Sequence, residues 1–310
     1  MKNHSVSMQQ LVRTDESAFA NIPDFLYKAI FIDTLPSFPA LRMSYIDEPA
    51  TSPPNGKVAL CLHGEPSWSF LYRRMIPKLQ AAGYRVIAPD LFGFGRSDKP
   101  IDEAWFQFDT HRASLLEFIE YLDLRNILLI VQDWGGLLGL TLPHHAPERY
   151  AQLLVMNTTL GTGDMQLSQG FKDWRAFMAS QQNFDCSKLF SRSCPHLTIQ
   201  ETQAYSAPFP NLESLAGVRR FPQLVPEFID SAGAATSRQA RKFWQTQWQG
   251  QSFMAIGMKD PVLGPAVMQT LRKAISGCPE PMMIENGGHF LQEWQSEHNP
   301  IVENAVASWA

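Results

Sequence analysis

The 310-residue chain is short of cysteine, sparing with charge and free of long apolar runs. Its four cysteines, Cys61, Cys186, Cys194 and Cys278, lack metal-ligand spacing and are too few for a disulfide framework. Cys186 and Cys194 could pair in an exported protein; reduced thiols are the expectation. The longest clean apolar run, Ile127–Val131, falls far below the ~18 residues of a membrane span. Met1–Gln10 is polar and has no apolar segment of a secretory signal, so a cytoplasmic protein is expected. Charged residues make up 18 % of the chain and the net charge is −4, with no basic footprint for nucleic acid. Apolar types reach 45 %, which excludes a disordered chain and supplies a sizeable core. Against these shortages stands an ample aromatic content of 20 Phe, 8 Trp and 7 Tyr.

Strand and helix signals alternate along the chain. Strands are expected at Leu41–Asp47, Val58–Leu62, Arg85–Pro89, Asn126–Gln132, Tyr150–Asn157, Ser252–Ile256 and Pro281–Ile284. Helices are expected at Trp68–Ala82, Phe108–Leu122, Gly135–His145, Arg238–Trp248 and Pro265–Ile275, and over the last fifteen residues. Asp90–Pro100, rich in Gly, Asp and Pro, reads as a loop. Such alternation predicts an α/β fold with a mostly parallel sheet covered by helices on both faces. Between residues 160 and 229 the rhythm breaks into helical fragments, prolines and seven phenylalanines. The expected organisation is a core of residues 1–159 and 230–310 with a helical cap of residues 160–229. The cap would lie over the sheet's C-terminal edge, where such folds keep their sites.

Four segments carry chemistry. Val131-Gln132-Asp133-Trp134-Gly135-Gly136 lies between a strand and a helix, where α/β-hydrolases place the nucleophile elbow. Asp133 fills the nucleophile slot and Gly135 the second small position, while Val131 departs from the first. Taken singly, Asp133 could merely cap the next helix. His63-Gly64-Glu65-Pro66 follows an earlier strand, where that fold supplies an oxyanion N–H. Asp260 follows the strand at 252–256, and His289 follows the last strand. The order Asp133, Asp260, His289 is nucleophile, acid, base. His144-His145 reads as a charge pair at a helix C-terminus rather than a metal site. The glycines at 93 and 95 lack the spacing of a phosphate loop. Asn157, an amide, cannot be the acid.

These segments resemble the haloalkane dehalogenases, in particular the subfamily whose acid follows the later strand. The likeness rests on His63-Gly64-Glu65-Pro66-Ser67-Trp68, the run Asp90–Pro100, Gln132-Asp133-Trp134-Gly135-Gly136, Met258-Lys259-Asp260 and Gly287-Gly288-His289-Phe290. The resemblance implies an α/β-hydrolase fold with Asp133 as nucleophile, Asp260 as acid and His289 as base. It implies oxyanion donors from the backbone N–H groups of Glu65 and Trp134, and halide donors from the indoles of Trp134 and Trp174. A pocket lined by Phe171, Phe221, Pro222, Val225 and Leu263 would follow, as would a cis Glu65–Pro66 bond. The implied reaction releases halide from short haloalkanes through an aspartyl ester, without metal or cofactor, in a monomer. An aspartate suits it, because attack on an sp³ carbon leaves an ester that water can reopen, where serine would leave an inert ether. Its carboxylate is ionised near neutral pH and needs no base for that step.

An epoxide hydrolase shares the triad but needs acidic hydroxyls from the cap, where Tyr205 is the only tyrosine. A fluoroacetate dehalogenase would carry arginines beside the nucleophile, where Trp134 and Gly135 stand. A non-catalytic receptor would be expected to lose a triad member, and none is missing.

Overall fold

A computed structural model describes residues 10–294 and 300–309. A two-residue ladder pairs β1 (Leu11–Val12) antiparallel with β6 (Lys99–Pro100) inside the expected loop. The main sheet holds β2 (Ile30–Ile32), β3 (Met43–Glu48), β4 (Val58–Leu62), β5 (Arg85–Pro89), β7 (Ile127–Val131), β8 (Tyr150–Met156), β9 (Gln251–Gly257) and β10 (Met282–Ile284). Their order is β10-β9-β8-β7-β4-β5-β3-β2. From β10 to β5 every neighbouring pair is parallel, and β3 runs antiparallel to both β5 and β2. All five residues of β7 are buried, as the centre of a sheet covered on both faces demands. This is the α/β architecture expected from the alternation.

Helices cover both faces: α1 (Ile76–Ala81), α2 (Phe108–Tyr121), α3 (Trp134–Gly139), α8 (Ala234–Thr246), α9 (Pro265–Lys273) and α10 (Ile301–Ser308). On α2 the buried residues Phe108, His111, Leu115, Phe118 and Ile119 recur every three or four positions, forming one inward stripe. Two expected helices are shorter than their apolar pattern. The segment 68–82 splits into a 3₁₀ turn at Ser69–Tyr72 and α1, because Pro77 has no N–H to continue a helix and starts a new one. The Asp90 carboxylate takes the Ser69 N–H at 2.8 Å and fixes the break. Helix α3 stops at Gly139 instead of His145, since Pro143 disfavours helical backbone at Leu142. His144 and His145 therefore lie beyond the helix and are not its terminal charge pair. Of the last fifteen residues, 301–308 are helical, and residues 295–299 and 310 lie outside those described.

Between β8 and α8 the chain carries only helices: α4 (Gln169–Ala179), α5 (Cys186–Ser193), α6 (Ile199–Ala204) and α7 (Ala216–Leu224), with one 3₁₀ turn at Glu213–Leu215. Cys186 opens α5 and Cys194 caps its end, about 12 Å apart at 1.5 Å per residue. That span exceeds disulfide reach, and both are buried free thiols. Ser168 caps α4 by accepting the Phe171 N–H at 3.1 Å, and its hydroxyl donates to Val262 O at 2.8 Å. The inserted helices are thereby anchored to the loop after β9. A second anchor is buried. Arg73 and Arg74, after the 3₁₀ turn, face Glu201 of α6 and Glu293 near the C-terminus, and Tyr205 donates to Glu293.

Candidate active site

The C-terminal ends of five neighbouring strands meet at one point. Glu65 follows β4, Asp133 follows β7, Asn157 follows β8, Asp260 follows β9 and His289 follows β10. Asp133 sits on a turn so tight that its backbone takes φ 50° and ψ −126°, a conformation that costs a non-glycine residue ~1–3 kcal/mol. Neighbours hold it there. Its N–H donates to Asn157 O at 3.0 Å, and its carbonyl accepts the Thr158 hydroxyl at 2.6 Å. Glycine is required at 135, because a Cβ there would lie 1.9 Å from Leu62 O. Val131 is tolerated at the other small position because its Cγ1 packs against Gly139, where a Cβ would come within 2.8 Å.

The Asp133 carboxylate is oriented from two sides. Oδ1 accepts the Glu65 N–H at 2.9 Å, and Oδ2 lies 3.5 Å from His289 Nε2. The Glu65–Pro66 bond is cis. His289 Nδ1 donates to Asp260 Oδ2 at 2.8 Å. Asp260 is buried and accepts from Val262 N (2.8 Å), Leu263 N (3.1 Å) and Asn157 Nδ2 (2.7 Å). Burial alone would raise its pKa; the His289 charge and these donors outweigh burial and hold it below the usual range. Burial works against a charged His289, yet Asp260 and Asp133 together raise its pKa to about 10.

The sequence reading passed over two neighbours. Asn157, dismissed as an acid, holds Asp260 in place: its amide donates to Asp260 and its Oδ1 accepts Gly257 N–H at 2.8 Å. Gln132 donates to His289 O at 3.1 Å, and the same Nε2 lies 3.0 Å from His289 Nε2. Asn157 ends a strand one step from the elbow, and Gln132 precedes Asp133. Those positions were the signal available.

Two cavities meet at Asp133 and Trp134. The larger, about 500 Å³, is walled by Glu65, Trp134, Phe171, Trp174, Pro222 and His289 among others. The smaller, about 300 Å³, includes Phe171, Val225 and Leu263. Of the residues expected in one pocket, Phe171 faces both cavities, Pro222 the larger, and Val225 and Leu263 the smaller. Phe221 is on neither wall. It is fully buried behind Trp134, ring centroids 4.7 Å apart, because its side of α7 packs into an aromatic cluster with Phe94 and His111. Tyr205 is likewise remote from the cavities, its hydroxyl engaged by Glu293. Trp174 projects from α4, edge-on to Phe184 at 5.8 Å. Among the described residues no group of three or more His, Cys, Asp or Glu side chains could hold a metal ion, and no helix is long and apolar enough to cross a membrane.

Residues 58–296 match the family model for the alpha/beta hydrolase fold. The chain is 40 % identical over 294 residues to a haloalkane dehalogenase of Psychrobacter cryohalolentis, covering 93 % of this chain and 95 % of the other. It is 35 % identical over 303 residues to one from Mycolicibacterium paratuberculosis, covering 96 % and 98 %. Among solved structures, a tetrameric haloalkane dehalogenase of Paraglaciecola agarilytica NO2 superposes with a TM-score of 0.91 at 46 % identity, covering 96 % of this chain and 98 % of that one.

Proposed function

As a member of the haloalkane dehalogenases within the α/β-hydrolase fold, the chain is a hydrolase acting on carbon–halide bonds, and we propose that it works through an ester formed on Asp133. The observation that carries this reading is the double constraint on the Asp133 carboxylate. Oδ1 is tied to a backbone N–H, and Oδ2, 3.5 Å from His289 Nε2, is left to attack on the cavity side. Attack of Oδ2 on the halogen-bearing carbon forms a C–O bond, and the halide departs with the C–X electron pair. The indole N–H groups of Trp134 and Trp174 are the proposed donors to that anion. They can donate but not accept, and they bring no competing charge.

In the second step water attacks the ester carbonyl carbon, and His289 Nε2 takes its proton. Negative charge then grows on Oδ1, which the Glu65 N–H already meets and the Trp134 N–H would join. A preorganised donor of that kind is worth ~3–4 kcal/mol in the transition state. The histidine passes its proton to the departing alkoxide, so the products are alcohol, halide and one proton. Asp260 holds the imidazole and balances its positive charge. Ester formation also prepares the base. While Asp133 is ionised it helps hold His289 protonated; alkylation cancels that charge, and burial then pulls the pKa down.

We assign residues 160–229 as a cap domain and the remainder as the core. Short chloro- and bromoalkanes are the proposed substrates, from the apolar cavity walls. In place of the expected monomer we propose a tetramer, as in the Paraglaciecola protein, and light scattering on the purified chain tests it. The deciding assay offers 1,2-dibromoethane and styrene oxide side by side. Bromide from the first without diol from the second is expected, since Tyr205 is the only tyrosine of the inserted segment and does not face the cavity. Diol formation overturns the assignment. Asp133→Ala is expected to abolish bromide release, and release at the wild-type rate would exclude the ester.

A further inference from the structure

The Glu65 side chain has a feature that its backbone role does not explain. It is 95 % buried, it lines the larger cavity beside Asp133, and its Oε1 has no hydrogen-bond partner among the described residues. A buried polar oxygen without a partner costs ~1–3 kcal/mol, so its retention in a cavity wall calls for a ligand or a moving partner. Trp174, on the inserted helix α4, lines the same cavity and directs its indole N–H at this carboxyl group. Burial first, and then the Asp133 charge, hold the Glu65 carboxyl well above the usual range, while His289 and Trp174 pull the other way.

We propose that the Glu65 side chain is a positioning residue: its buried carboxyl group takes the Trp174 indole N–H between turnovers and yields that N–H to the halide as it leaves Asp133. The neutral state matters to this exchange. A carboxylate would grip the indole with a charge-assisted bond, about twice as strong as a neutral one, and would repel the departing anion. An uncharged oxygen keeps the ring turned toward the cavity and loses the N–H to any anion that arrives. The inference rests on the assignment of Trp174 as a halide donor.

The test measures bromide affinity, by quenching of tryptophan fluorescence, and steady-state kinetics with 1,2-dibromoethane. The proteins are the wild type, Glu65→Ala, Glu65→Gln, Trp174→Phe and the double variant Glu65→Ala/Trp174→Phe. Glu65→Ala is expected to tighten bromide binding about tenfold, because the hydrogen bond that competes with the halide for the indole N–H is gone. Glu65→Gln, uncharged and of the same shape, should bind bromide close to the wild-type affinity. In the Trp174→Phe background Glu65→Ala should change nothing, because the contact it serves is already gone. Glu65→Ala binding bromide like the wild type while Trp174→Phe binds weakly overturns the proposal and leaves the Trp174 assignment standing. An additive double variant, or a folded Glu65→Gln as tight as Glu65→Ala, also overturns it. Wild-type binding by Trp174→Phe removes the halide assignment itself, and this inference with it. If Glu65→Ala fails to fold, Glu65→Gln carries the test alone: near-native bromide affinity supports the proposal, and a tenfold change refutes it.

Discussion

Asn157 bridges the acid loop to the end of β9 through both ends of one amide. Asn157→Ala removes both bonds and leaves the buried Gly257 N–H unpaired, so a loss of ~1–3 kcal/mol is expected by urea unfolding. Halide release should fall with it, because Asp260 loses a donor that fixes its orientation. His289 supports a prediction of opposite character. Its pKa rises from ~6.5 in an unfolded chain to about 10 in the folded protein. The stability it contributes is therefore complete below about pH 6.5 and is lost as pH climbs through about 10. The urea midpoint should fall from pH 7 to pH 10 more steeply in the wild type than in His289→Phe. Asp133, Asp260 and His289 were readable from the sequence because each is a reactive residue type in the loop after a strand. Asn157 and Gln132 act only through a neighbour, and an amide at a strand end has no signature until that neighbour is in place.

Among the elements, the turn from β7 into α3 has the least room. Gly135→Ala would drive a methyl group to 1.9 Å from Leu62 O, and a backbone carbonyl cannot rotate away as a side chain could. We expect ~1–3 kcal/mol of destabilisation, seen as a lowered melting temperature, and loss of halide release as Trp134 shifts. The Val131–Gly139 exchange shows why a motif pattern can fail locally while its geometry survives: space withheld at one position is returned at another, eight residues along the chain. The central strands were legible because fully buried parallel strands read as unbroken apolar runs. Strand β2 was not foreseen, since three residues at a sheet edge, one of them exposed, leave too little pattern. The helices at 68–82 and 135–145 were overestimated for one reason. Apolar spacing continues past a proline, and the hydrogen-bond ladder does not.

Across the whole molecule, the inserted helices are tied to the core by the buried cluster of Arg73, Arg74, Glu201, Tyr205 and Glu293. A buried ion pair is weak evidence of net stabilisation, but breaking one side of it is costly. Glu293→Ala leaves the fully buried Arg73 with a single carboxylate, and a loss of ~3–5 kcal/mol is expected in thermal or urea unfolding. This cluster was invisible in the sequence, where its members lie up to 220 positions apart and belong to no motif. Phe221 was misplaced for a related reason: which side of a helix looks into a cavity is settled by the neighbours it packs against. The site itself draws on two sources. Asp133, Asp260 and His289 stand on strand ends, whereas Phe171, Trp174 and Pro222 come from the inserted helices. Heredity can therefore edit the two halves separately. A lineage that meets a new halogenated compound can remodel the inserted stretch around Trp174 and leave the strand-end residues Asp133, Asp260 and His289 untouched, so descendants of one ancestor can part ways in diet while keeping the same reaction.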